Sequence, residues 1–113
     1  MKKSYFINEG IKFYFEDDEN DGFPFLFMHG LGGSTEQTMS VLQATPGIRR
    51  ISFDFRGHGK TIDIGGVSNL SFSQFSKDAL ALLKHLGIKK ANIGGFLQER
   101  VYRYTWHSLI QML

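Results

Sequence analysis

Apolar and polar residues alternate where Ile11, Phe13 and Phe15 interleave with Lys12, Tyr14 and Glu16, and Tyr5-Phe6-Ile7 precedes the turn signal Asn8-Glu9-Gly10. Period two on both sides of a short turn predicts a half-buried β-hairpin. The stretch from Glu16 to Asp21 has no apolar residue and ends at Gly22, so a solvated loop is expected there. Phe23 to Met28 then runs apolar apart from Pro24, as a strand covered on both faces does. Ser34 and Gln37 have capping-box spacing for a helix through about Ala44, stopped by Thr45-Pro46-Gly47. Ile48 to Phe53 predicts a further strand, which runs into Asp54-Phe55-Arg56-Gly57-His58-Gly59.

The glycine-rich region from Ile62 to Asn69 is expected to cross the surface. Ser71 and Gln74 form a second capping box, and Phe72, Phe75, Ala79, Leu82, Leu83 and Leu86 recur at three- and four-residue spacing until Gly87, which predicts an amphipathic helix. Ala91 and Ile93 begin a last short strand ending at Gly94-Gly95. Alternating strands and helices after the hairpin predict an α/β sheet with parallel strands. From Phe96 to Leu113 the character changes: aromatic and basic residues mix, without caps or turn residues. Val101, Tyr104 and Ser108, or Tyr102, Trp106, Leu109 and Leu113, would give a weak helical face.

Composition narrows the function classes. A chain of 113 residues holds one domain at most, and 42% apolar content with eleven phenylalanines is too hydrophobic for a disordered chain. The charge of +2 gives no broad cationic surface, so nucleic acid is not an expected partner. No apolar run is long enough to cross a membrane. Without cysteine there is neither a disulfide framework nor a thiolate metal site, and the start MKKSYFINEG lacks a signal-peptide core, so a cytoplasmic location without metal or cofactor is expected.

Three glycine-rich turns fall at the carboxyl ends of predicted strands, where open α/β sheets place their ligands. They are His29-Gly30-Leu31-Gly32-Gly33, Asp54 to Gly59, and Gly94-Gly95. In the first, glycine lets the backbone bend so that a main-chain N–H, that of Leu31, could face a cleft and bind a developing oxyanion. HGLGG after one strand, DFRGHGKT after the next, then a helix and a strand ending in Gly-Gly, together resemble the amino-terminal half of an α/β-hydrolase over roughly residues 10 to 95. The resemblance implies an antiparallel first strand, an oxyanion loop at His29, Gly30, Leu31 and Gly32, and a mainly structural turn at Asp54, Arg56, Gly57 and Gly59. It also implies a serine nucleophile in a G-x-S-x-G elbow, with an acid and a histidine much later.

The chain departs from that pattern at the elbow. Gly95 matches its first glycine, but Leu97 stands at the nucleophile position and Glu99 at the second glycine. Leucine has no nucleophilic atom, and none of His29, His58, His85 and His107 corresponds to the family's catalytic base. One base inserted before the Phe96 codon allows Phe-Leu-Gln-Glu-Arg-Val-Tyr-Arg-Tyr-Thr-Trp-His to be read as Ile-Ser-Thr-Gly-Ala-Gly-Ile-Ser-Leu-His-Met-Ala, which restores the elbow after Gly95. The expectation is therefore a partial hydrolase core over residues 1–95 and an aberrant, frameshifted tail over 96–113. The intact parent would act on a small-molecule acyl substrate such as an ester, and this chain would be inactive. Truncation should leave the Gly94-Gly95 strand as a sheet edge and bare the apolar faces of the Phe72 to Leu86 helix and the Phe25 to Met28 strand, favouring self-association.

Other classes remain open at this point. A non-catalytic binding module fits the incomplete catalytic set. Gly57-His58-Gly59-Lys60-Thr61 looks like the end of a phosphate-binding loop, but Asp54 stands at its first glycine and no helix start follows Thr61. The dinucleotide fingerprint fails because Thr35 replaces its last glycine.

Overall fold

The computed structural model describes residues 1–30, 32–66, 70–97 and 100–105, with the backbone alone for 96, 97 and 100–105. Strands β1 (Lys2–Asn8) and β2 (Ile11–Asp17) form the hairpin, and β3 (Phe23–Met28), helix α1 (Thr35–Val41), β4 (Ile48–Phe53), helix α2 (Phe72–His85), β5 (Asn92–Leu97) and β6 (Arg100–Thr105) follow. The sheet order is β1-β2-β4-β3-β5-β6. β1, β2 and β4 are joined antiparallel, and β3 runs parallel to both β4 and β5. Through β5 this is the strand order that the hydrolase resemblance implies, with β6 added antiparallel at the far edge.

Local chemistry explains the boundaries. Glu9 and Gly10 both adopt positive φ, 53° and 76°, the geometry that a two-residue turn needs to match the twist of its strands. Each helix starts where a serine hydroxyl accepts the N–H three residues on: Ser34 from Gln37 and Ser71 from Gln74, both at 3.2 Å. α1 stops at Val41, short of Ala44, because the chain turns extended at Leu42.

The sheet's two faces follow from strand alternation. Phe13, Phe15, Leu26, Met28, Ile51, Phe53 and Ile93 pack with Phe75, Ala79, Leu82 and Leu83 of α2 in one buried cluster. Tyr14, Glu16, Phe27 and Ser52 lie on the other face, where Ser52 Oγ reaches Thr35 of α1. The expected baring of apolar faces by truncation does not occur: Leu26, Met28, Phe75, Leu82 and Leu83 are all buried. Strand β2 is more enclosed than its alternation suggests, since Tyr14 and Glu16 are buried and the Tyr14 hydroxyl donates to Glu16 at 2.8 Å, whereas β1 as a whole is half-buried at most, as expected of the hairpin.

Three further expectations are corrected. The acidic stretch is not a solvated loop at its start: Glu16 and Asp17 complete β2, Asp17 accepts two bonds from Arg49, and Asp18 is clasped by Arg50, which also donates to the carbonyls of Met39 and Leu42. The reason is β4, whose pairing with β2 sets Arg49 and Arg50 beside these carboxylates. The strand from Ala91 does not end at Gly95, nor is it the edge, because β5 continues to Leu97 and β6 pairs antiparallel along it. Residues 100–105 are strand rather than helix, which suits their β-branched and aromatic content; residues 106–113 of that weak helical face lie outside the described residues.

A buried ion-pair cluster fixes α2 against the hairpin turn. Arg56, 1% exposed, donates from Nε and Nη2 to the two oxygens of Asp78 and from Nη2 to Glu9, while Asn8 and Gln74 also donate to Asp78. Asp78→Ala strands the guanidinium with only the half-exposed Glu9, so a loss of about 3–5 kcal/mol is expected in denaturant unfolding. The double variant Arg56→Met with Asp78→Leu should recover part of that loss, and no recovery would mean that the loss does not come from an unpaired buried charge.

Candidate active site

The parallel strands β3 and β4 end side by side, so the turns that follow them meet. His29, directly after β3, is 2% exposed, and its ring lies on that of Phe55 with centroids 4.0 Å apart. Phe55 N–H donates to His29 Nε2 at 3.0 Å, which requires the other nitrogen to carry the proton; Nδ1–H therefore donates to the Gly30 carbonyl at 2.7 Å. Burial pushes His29 down to about 4, outweighing the Gly30 carbonyl that favours its charged form, with His58 adding to the depression. At neutral pH the ring is uncharged and both nitrogens are engaged, so it ties two turns together and has no lone pair free to act as a base.

Asp54 organises the second turn. Its Oδ1 accepts the amide of Thr35, the first residue of α1, at 2.6 Å, and its Oδ2 accepts the amide of Lys60 at 2.8 Å. A negative group at a helix start is favourable, and here it is also 2% exposed, so both bonds are strong ones. Gly59 is needed because a Cβ there would lie 2.6 Å from the Asp54 carboxyl carbon, and its φ is +50°. Arg56 faces away into the Asp78 cluster, and Gly57 adopts φ +71° within the turn. Thr61 Oγ1 accepts the amide of Tyr14 at 3.0 Å. With the Lys60 amide on Asp54 and α2 not starting until Phe72, the Gly57 to Thr61 turn offers no phosphate cradle.

Between the first turn and α1 lies an open cleft of about 430 Å³, lined by His29, Gly30, Gly33, Gln37, Thr38, Ser40 and Val41. Gly32 has φ +79°, and Gly33 N–H donates back to Gly30 at 2.9 Å, so the loop closes on itself. Leu31, whose N–H is the expected oxyanion donor, lies outside the described residues. Gly95 sits within β5 opposite Met28, and Leu97, two residues further, pairs with Arg100 across the β5–β6 hairpin. Gln98 and Glu99, which link those strands, also lie outside the described residues. Among the described residues no three His, Cys, Asp or Glu side chains are grouped to hold a metal ion. The side chains that the motifs did not reveal are Asp78 and Glu9; Asp78 shares the helical stripe of Phe75, Ala79 and Leu82, and a carboxylate on an apolar face signals a buried cation.

The family model described as alpha/beta hydrolase fold matches residues 24–96. The chain belongs to the alpha/beta hydrolase fold family. It is 32% identical over 83 residues to the dihydrolipoyllysine-residue acetyltransferase component of the acetoin cleaving system of Pseudomonas putida, covering 73% of this chain and 22% of that protein. Similar solved structures include the N-acyl homoserine lactonase AidH complexed with N-butanoyl homoserine, at TM-score 0.74 and 23% identity over 82% of this chain and 35% of that one. The thioesterase domain from the curacin biosynthetic pathway follows at TM-score 0.70 and 18% identity, over 84% and 35% of the two chains. The epoxide hydrolase VrEH1 from Vigna radiata matches at TM-score 0.65 and 22% identity, over 83% and 31%. This hydrolase-fold chain thus spans about a fifth of the curated relative and about a third of those structures.

Gly59→Ala should destabilise the chain by about 2–3 kcal/mol, because it combines left-handed strain with displacement of a carboxylate that holds two amides. Hydrogen exchange at Thr35 and Lys60 reads this directly: both amides should lose protection together, and unchanged protection would mean that Asp54 is not displaced.

Proposed function

We propose that the chain is the amino-terminal portion of an acyl hydrolase, and that as it stands it does not turn over. The observation that carries this reading is Leu97. It occupies the position where the G-x-S-x-G pattern requires an attacking oxygen, and its backbone continues into a strand rather than into a helix. Acyl transfer needs a nucleophile with a base in hydrogen-bond reach. Leucine supplies no such atom, and His29 has both ring nitrogens committed.

What the chain retains is the electrostatic half of such a site. The loop His29 to Gly32 would turn the Leu31 amide toward the carbonyl oxygen of a substrate, while the serine that attacks, the acid and the histidine that moves the proton would come from the continuation of the fold. Removing one oxyanion donor costs about 10²–10³ in rate, whereas lacking nucleophile, base and acid together leaves little beyond binding. A lactonase and a thioesterase among the similar structures support acyl chemistry. So does the shifted frame, which places Ser rather than Asp at position 97. The boundary near residue 95 and the aberrant origin of the tail belong to the same reading.

Purified chain should give no ester turnover and no covalent adduct with a fluorophosphonate probe; labelling at any side chain would refute inactivity. Leu97→Ser should remain unlabelled as well, since a serine hydroxyl without a base is a weak nucleophile. Reading the gene tests the frameshift: no single-base change that opens a homologous continuation after the Gly95 codon would overturn it.

A further inference from the structure

The ring of His29 joins two turns through bonds of opposite sense. Nδ1–H donates to Gly30 within its own loop, and Nε2 accepts from Phe55 beyond β4. Only the neutral ring does both, because a proton on Nε2 would aim a second N–H at the Phe55 amide. In an interior position that change also leaves the Phe55 N–H without its acceptor, which is costly. We propose that His29 is an acid-operated latch: the neutral ring clips Gly30 to the β4 turn, and protonation at Nε2 breaks the clip to Phe55 while the sheet stays folded.

The charged and titratable neighbours set the direction. From the β4 turn, the His58 ring lies 5.1 Å away and opposes a second positive charge, with its own Nδ1–H donating to the Arg56 carbonyl. Asp54, on the same turn, favours the charged ring, but its oxygens already hold the amides of Thr35 and Lys60. The Arg56 guanidinium is directed to Asp78 and Glu9. From α2, Phe75 stacks on Phe55 at 4.4 Å and brings no charge. Burial therefore decides, holding the folded value near 4 against 6.5 for an unperturbed histidine.

The sign follows from that depression. The closed loop selects the neutral ring, so the latch contributes fully above about pH 6.5 and is lost as pH falls toward 4. Opening is local because the loop's own Gly33 to Gly30 bond spans only three residues, whereas Leu26, Ile51 and Leu82 are fully buried in the sheet–helix core. Asp18, held below the usual carboxylate range by Arg50, keeps its ion pair through that interval. The effect on an oxyanion rests on the reading of the loop given above; the latch itself does not.

Nitrogen NMR of the 113-residue chain between about pH 7 and pH 3 tests it. At neutral pH His29 should be the Nδ1–H tautomer. The amides of Gly30, Gly33 and Phe55 should shift with the same midpoint as the ring. Exchange of the Phe55 amide, relative to its intrinsic rate, should rise by up to about tenfold per pH unit between about pH 6.5 and pH 4 and then level off, while Leu26, Ile51 and Leu82 stay protected. His58→Gln should raise the His29 midpoint and keep the tautomer. An Nε2–H tautomer, loop amides that ignore the titration, or simultaneous loss of core protection would each overturn the latch. Fluorophosphonate labelling would count against the functional reading alone.

Discussion

A guanidinium cannot be taken out of water without a carboxylate to meet it, and Arg56 is the point where the fold has to satisfy that condition. Its partners come from two separate places: Glu9 in the first hairpin turn, with Asn8 beside it, and Asp78 in the middle of α2, with Gln74 one turn before it. Because leaving Arg56 or Asp78 alone in the interior costs about 3–5 kcal/mol, the β4 turn and α2 are bound to assemble as one unit, and Glu9 and Asn8 draw the hairpin turn to them. The exposed Lys2–Glu19 pair, at 3.6 Å with both side chains about half in solvent, carries no comparable obligation. The strength of the Arg56 cluster lies in its position between elements rather than in the number of its bonds.

Elements written in local signals were legible. Phe23–Met28 and Ile48–Phe53 form strands with the bounds that their apolar runs suggest, and Ser34 and Ser71 cap their helices through the hydroxyls that the spacing indicated. Elements whose state depends on a distant partner were not. Asp17 and Asp18 belong to a hydrophilic run and look solvated, yet Arg49 and Arg50, thirty-two residues on, draw them into the sheet. Likewise the weak helical face read beyond Phe96 gives way, over residues 100–105, to a strand supported by pairing with β5.

The two glycine-rich turns show the same division. Their positions at the ends of β3 and β4 followed from order along the chain, but the bonds that join them did not. His29 and Asp54 each reach across, His29 to Phe55 and Asp54 to Thr35, so each turn is held by the other. The fold thereby fixes a rigid backbone frame at the carboxyl edge of the sheet before any reactive side chain is considered.

A chain of phenylalanine rings runs through the interior. Rings run in contact from Phe6 through Phe13, Phe53 and Phe55 to Phe75, joined by stacked and edge-on pairs with centroids between 4.4 and 6.1 Å. The one tryptophan, Trp106, lies outside the described residues. Tyr14 is a phenol buried on β2 that donates to Glu16, and its near-ultraviolet dichroism is expected to fade when the strands separate.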